Sequence, residues 1–183
     1  YRIMLFKEIA SIYSEQNNYA KAKETILKSY EICKKEKLDV INLEIISTIG
    51  KIENRFNHPQ KAIPFLEECR TKAIELKRPN NEIVSSIALA ESYLKLNQFS
   101  KSIALLQKCE TYFQENKEQA YKPKLAYLFA ANYLKTNNTE LYKSYLKKTE
   151  DLLGKNHATI EYLEVLDLKI EAALKANQSN QVR

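Results

Sequence analysis

Residues 10–29 read ASIYSEQNNYAKAKETILKS, and residues 90–109 read AESYLKLNQFSKSIALLQKC. The two stretches share a pattern: a small residue (Ala10, Ala90), an aromatic three later (Tyr13, Tyr93), an asparagine, an aromatic (Tyr19, Phe99), and a large apolar residue (Ile26, Leu106). The pattern recurs at a period of forty. Asparagine stands at Asn17, Asn57, Asn97, Asn137 and Asn177, and small residues stand at Ala10, Gly50, Ala90 and Ala130. A fixed period in this range marks a repeat architecture, in which each unit buries its apolar face on its neighbours.

Outward from that stretch the periodicity is helical. Ile3, Phe6, Ala10 and Tyr13 share a face at spacings of three and four, and Ala22, Ile26, Ser29 and Cys33 share another. Asn17 and Asn18 separate the two faces, because asparagine tolerates the left-handed conformation at a helix end. The expected helices are Ile3–Glu15, Tyr19–Lys35, Asp39–Asn57, Pro59–Lys77, Glu82–Leu96, Phe99–Asn116, Gln119–Thr136, Thr139–Leu153 and Ala158–Ala176. Pro59 suits a first turn, Pro64 removes a bond to Gln60, and Pro79 with Asn80 and Asn81 makes a break. The fold expected is all-α: a right-handed superhelical solenoid of antiparallel helix pairs with about nine helices. It reads as one array of units at about 1–38, 39–78, 79–118 and 119–155, with a partial unit at 156–183. The chain opens inside the first helix of one unit, closes after the first helix of another and starts with Tyr1, so it reads as a piece of a longer protein. The last helix is expected to cap the array. Ile160, Leu163, Leu166, Leu168 and Ile170 would face inward or sideways, with Glu161, Glu164, Asp167 and Glu171 outward.

Composition agrees. The 183 residues include two glycines and four prolines, with 28% charged and 44% hydrophobic side chains. Sparse glycine and proline favour helices over strands and turns. No run approaches the roughly 18 apolar residues that cross a bilayer. The net charge of +6 points to an acidic partner, a nucleic acid or a membrane surface. The charges alternate in sign, however, as on solvated helices with pairs such as Glu24–Lys28 and Glu31–Lys35. Cys33, Cys69 and Cys109 lack CxxC spacing, and stacked helices hold equivalent sites too far apart for a disulfide. They read as reduced, buried thiols, which favours the cytoplasm over a periplasmic sensor domain whose signal has been removed.

These repeats resemble the tetratricopeptide repeat family. The resemblance rests on Ala10, Tyr13, Asn17, Tyr19, Ala22, Ile26 and Ser29, and on Ala90, Tyr93, Asn97, Phe99, Ser102, Leu106 and Cys109. Small residues let paired helices approach, and aromatics plug the gap to the next unit. The other units depart. Glu53 stands at an aromatic position, Pro59 and Thr139 replace the second aromatic, and Tyr142 replaces a small residue, so close packing is not expected there. The long unit is similar to repeats of bacterial signalling and transcriptional regulators. The resemblance implies a groove lined by each unit's first helix.

Nothing in the sequence suggests catalysis or a cofactor. His58 and His157 lie far apart without metal-ligand partners, no glycine-rich phosphate loop exists, and no carboxylate sits in an apolar run. By register the groove would show four rows: Glu15, Arg55, Lys95, Lys135, Lys175; Ser14, Asn54, Leu94, Leu134, Leu174; Lys7, Ser47, Ile87, Tyr127, Asp167; and Ser11, Lys51, Glu91, Ala131, Glu171. The candidate peptide-binding residues are Lys51, Asn54, Arg55, Ile87, Glu91, Leu94, Lys95, Tyr127, Leu134 and Lys135. A basic stripe beside an apolar floor suits an acidic, partly apolar peptide. The family's two-carboxylate clamp is not matched, since Ser11 follows Lys7 where asparagine is needed.

The expected function is a protein- or peptide-binding scaffold, the sensing or interaction part of a larger bacterial regulator. One alternative is a structural array that self-associates without a groove ligand. Another is a nucleic-acid-binding arm. The aromatics Tyr121, Tyr127, Phe129, Tyr133, Tyr142 and Tyr145, interleaved with lysines, could stack bases. Most of them fall on the core face, so nucleic acid is the weaker reading.

Overall fold

Residues with positive φ punctuate the chain every twenty positions: Asn17, Lys37, Asn57, Lys77 and Asn97, and then Asn137. Each ends a helix the same way. At the first, the Asn17 N–H bonds the Ser14 carbonyl and the Asn18 N–H bonds the Tyr13 carbonyl; Asn57 and His58 repeat this on Asn54 and Glu53. This is the Schellman arrangement, which satisfies carbonyls a helix end leaves open. Lys37 and Lys77 adopt it too, at φ 53° and 54°, where a Cβ is strained. Replacing either by glycine should therefore raise stability by about 0.5–1 kcal/mol. Urea unfolding of Lys37→Gly and Lys77→Gly checks this, and a lower midpoint for both would contradict it.

A computed structural model describes residues 1–116, 120–154 and 160–181. The described residues form nine α-helices and no strand: α1 Arg2–Glu15, α2 Tyr19–Lys35, α3 Asp39–Arg55, α4 Pro59–Glu75, α5 Pro79–Lys95, α6 Phe99–Glu115, α7 Lys122–Lys135, α8 Thr139–Leu153 and α9 Ile160–Gln181. Five helices are 17 residues long, so a helix and its three-residue turn make up the twenty-residue step. Pro79 lies in the first turn of α5 instead of breaking the chain before it, because a first-turn N–H has no helical partner to lose. Pro64 is carried inside a continuous α4. Asn177 does not stop α9, which runs on to Gln181. The expected starts at Gln119 and Ala158 lie outside the described residues, as does His157.

The helices gather into two compact units, Tyr1–Leu105 and Leu106–Arg183. In the first, α1 pairs with α2 and α3 with α4, and α5 packs on α3 and α4. The helix α1 also lies beside α3, and α3 beside α5, whereas α2 and α4 do not approach each other as closely. The layer of α1, α3 and α5 is therefore the inner side of this unit's curvature. Its core is built from Ala10, Ala22, Ile26, Ile45, Ile49 and Ile52, with Tyr13 and Tyr19 packed against them. Burying each large side chain is worth about 1.5–3 kcal/mol. Gly50 marks a close crossing of α3 and α4: a Cβ there would lie 2.5 Å from Leu66 Cγ and Cδ2.

Three of the four departures from the repeat pattern are packed into the interior, and the fourth, Thr139, is exposed. Pro59 is buried, Tyr142 is only 8% exposed and Glu53 is 1% exposed. Tyr19 keeps ring contacts with Phe56 at 5.0 Å and His58 at 4.9 Å, and its hydroxyl donates to Glu53 at 2.9 Å. All three cysteines are buried thiols. The Cys69 Sγ donates to the Leu43 carbonyl at 3.2 Å, and burial pushes its thiol pKa up to about 11.

In the second unit α7 pairs with α8, and α9 lies against both. The inward face of α9 differs from the expected one. Val165 and Leu168 are buried, whereas Leu163, Leu166 and Ile170 are exposed. The acidic residues do not simply point to solvent: Glu164 meets Lys124 at 2.6 Å and Glu171 meets Lys135 at 2.7 Å. Lys169 of α9 also pairs with Glu150 of α8. These ion pairs turn α9 so that its charged edge faces α7 and α8. The side chains of Ile160 and Glu161 lie outside the described residues.

Candidate functional site: the inner face of the first-layer helices

In the first unit the open side of each inner helix falls on a line. On α3 it is Glu44, Thr48, Lys51 and Arg55, and on α5 it is Val84, Glu91 and Lys95. Two of the four expected rows therefore reach solvent here: the one through Arg55 and Lys95, and the one through Lys51 and Glu91. The other two lie in the seams between helices. Ser47 and Ile87 are each 4% exposed, and Asn54 is 2% exposed.

Asn54 is a structural residue, not a groove contact. Its Nδ2 donates to the Ala88 carbonyl at 2.7 Å, and its Oδ1 accepts from Ser92 at 2.7 Å. It ties α3 to α5. Ile87 and, in the second unit, Leu134 are buried. Leu94 and Tyr127 are half-buried. The register places these residues correctly on the helix, but the adjoining inner helix covers them. Hydrophobic spacing within one helix carries no information about how closely its neighbour in the layer approaches.

The basic row is largely engaged within the chain. Lys95 Nζ donates to the Asn54 carbonyl at the end of α3 and pairs with Glu91 at 3.4 Å. Lys175 does the equivalent in the second unit, donating to the Leu134 carbonyl at 2.9 Å and to Asn137 Oδ1 at 2.8 Å. Each lysine reaches back 41 residues to cap the preceding inner helix. An ammonium there adds a second donor to a last-turn carbonyl and meets the negative end of the helix dipole, worth about 0.3–1 kcal/mol. Lys135 is tied to Glu171. Arg55 is exposed and has no hydrogen bond or ion pair to another described residue.

The remaining charges of the inner face alternate in sign. Lys7 bonds Glu44 at 2.9 Å, joining α1 to α3. Burial lowers the Lys7 pKa, but its bonds to Glu44 and Glu8 outweigh that and raise it. Lys51 is open to solvent, yet protein atoms crowd its ammonium, and this desolvation pushes its pKa below the ordinary value. The nearby charge of Lys7 pushes it the same way.

One charged cluster is not visible in the periodicity. Glu53 of α3 accepts from the Tyr19 hydroxyl at 2.9 and 3.0 Å and from Lys23 Nζ at 2.9 Å. His58 Nδ1 lies 3.1 Å from its other side. Desolvation pushes the Glu53 carboxyl up, but the bonds from Lys23 and Tyr19 outweigh it and hold the pKa below the usual carboxylate range. The available signal was Glu53 at an aromatic position forty residues after Tyr13, with a lysine four residues after Tyr19.

Among the described residues, no group of three His, Cys, Asp or Glu side chains is placed to hold a metal. No described helix is long and apolar enough to cross a membrane. Residues 8–36 match the tetratricopeptide repeat family model. No curated protein sequence matches the chain. The crystal structure of aspartyl phosphate phosphatase F from Bacillus subtilis superposes with a TM-score of 0.75 at 16% identity, over 98% of this chain and 48% of that one. The chain thus spans about half the length of that protein, and at this identity the likeness is one of fold. By sequence over its first helix pair and by fold over nearly its whole length, the chain is similar to helical-repeat proteins of the tetratricopeptide kind.

Proposed function

We propose that the chain is a protein- or peptide-binding scaffold that forms the interaction part of a larger bacterial regulatory protein. The observation that carries this is the inner face of the first unit. There Arg55, without a partner among the described residues, stands beside Lys51, Thr48 and Glu91 on rigidly paired helices. Side chains fixed on helices present donors at low entropic cost to an extended or helical peptide. Arg55 favours an acidic group at that point. Positive and negative charges alternate elsewhere, so the face suits a peptide of mixed charge better than a uniformly acidic one. The solved protein of like fold is named a phosphatase acting on aspartyl phosphate. At 16% identity, the reading kept for this chain is binding.

The test is selection from a displayed peptide library, with affinities then measured at two salt concentrations. Arg55→Glu should weaken the selected peptides by about tenfold, or about 1.4 kcal/mol. It should leave stability within about 0.5 kcal/mol, because the side chain is exposed. Affinity should fall with salt, since exposed charges are screened over roughly 8–10 Å. Equal binding by wild type and variant would remove the reading. The lysine caps on α3 and α7 favour a second reading, a structural array with no ligand on this face. Failure to select any peptide, with concentration-dependent sedimentation, would promote it.

A further inference from the structure

The second unit holds a cavity of about 260 Å³ between α6 and α8, floored by α7. Of its lining residues Phe113, Leu125, Ala126 and Phe129 are buried, Glu110 and Lys122 are half-buried, and Gln114 and Lys148 are exposed and so lie toward its opening. The repeat explains why it exists. Eighty residues earlier, Tyr30 meets Phe65 edge-to-face at 6.3 Å, and both pack against the buried cluster of Leu43, Ile46, Cys69 and Ala73. In the second unit Glu110 replaces Tyr30 and Ala126 replaces Ile46. A ring and a branched side chain are lost, while the larger Phe113 and Phe129 in place of Cys33 and Ile49 line the walls.

The polar opening is asymmetric. Glu110 is already satisfied, accepting from Lys148 Nζ at 2.7 Å and from the Tyr145 hydroxyl at 3.2 Å. Burial and the Glu110 charge push the Tyr145 pKa up to about 12, so this hydroxyl stays a neutral donor. Lys122 has no ion pair with another described residue. The excess charge at the opening is therefore positive, above an apolar, aromatic floor.

We propose that this cavity binds a small aromatic carboxylic acid, its ring between Phe113 and Phe129 and its carboxylate at Lys122. The volume lies just under the roughly 300–1,000 Å³ of sites for drug-sized ligands, which suits one ring on a short chain. A charge-assisted bond to the ammonium supplies the preference for an anion.

The probe is 3-phenylpropionate, titrated into the full chain and followed by the Ala126 and Leu125 methyl signals. Saturable shifts are expected, with 3-phenylpropanamide binding about tenfold or more weakly. Lys122→Gln should bring the acid down to the level of the amide. Ala126→Ile, which restores the residue of the first unit, should abolish binding and raise the melting temperature by filling the cavity. If that variant does not fold, Lys122→Gln and the amide still decide. Absence of saturation, or equal binding of acid and amide, overturns the proposal. So does unchanged binding to a folded Ala126→Ile variant. An acetylated Phe-Asp peptide amide binding tenfold tighter than the free acid would assign the cavity to a partner chain and overturn it as well.

Discussion

Glu53→Ala should lower the unfolding free energy by about 3 kcal/mol or more. The carboxylate is 1% exposed and holds Tyr19, Lys23 and His58 around it. Truncation leaves a void beside the Tyr19 hydroxyl, takes the acceptor from the partly exposed Lys23 ammonium, and removes one link from α2 to the end of α3. Glu53→Gln keeps the volume and loses the charge, so about 1–2 kcal/mol is expected for it. Urea unfolding at neutral pH checks both. A change below about 0.5 kcal/mol for the alanine variant would mean that the cluster contributes nothing to stability. The pH dependence has a definite sign. The folded pKa of Glu53 lies below its ordinary value, so the folded state holds this proton less tightly than the unfolded chain. Its stabilisation is fully present above an unfolded value of about 4.3 and is lost as pH falls through the folded pKa. Glu53→Gln should therefore flatten part of the loss of stability below about pH 4.3.

The second large effect is expected at the crossing of α3 and α4. Alanine is the better helix former by about 1 kcal/mol, so Gly50→Ala would stabilise an open site. Here the added Cβ meets Leu66 at 2.5 Å, and Leu66 is completely buried. Overpacking of about 1–3 kcal/mol should win, giving net destabilisation. Leu66→Ala alone should cost about 2–5 kcal/mol through lost burial and a cavity. The double variant should cost less than the sum, because each change relieves the strain or the void left by the other. Strict additivity in a double-mutant cycle would show that the two residues do not share this space.

The repeat itself was legible in the sequence. Asn17, Asn57, Asn97 and Asn137 mark helix ends because their side chains tolerate positive φ, and α2 and α8 run between the residues read from the pattern. The small residues Ala10, Ala22, Ala62 and Ala90 are all fully buried, as close helix crossings require. These are local properties, set by backbone preference and by one helix's apolar stripe. The missed boundaries have local reasons too. Pro79 begins a helix as readily as it breaks one, and the tolerance of asparagine for positive φ does not oblige Asn177 to adopt it.

The candidate site was legible only in part. Lys51, Arg55, Glu91 and Lys95 do border the open face, as the register places them. Asn54, Ile87 and Leu134 do not, because burial in the seam depends on the spacing between α3, α5 and their counterparts, not on any one helix. The sequence shows four like charges in a row. Only the tertiary structure reveals that Lys95 and Lys175 are spent on carbonyls 41 residues back, and that Lys135 is held by Glu171. The buried carboxylate of Glu53 and the cavity beside Ala126 likewise arise where two or three helices meet. What the sequence determined by itself was the repeat, most of the helices and turns, and the small residues at helix crossings, since each follows from neighbours within one or two turns. Which charges stay available, which apolar positions are covered and where a void remains were decided by contacts between residues some thirty to forty positions apart, and those depend on the distances between packed helices.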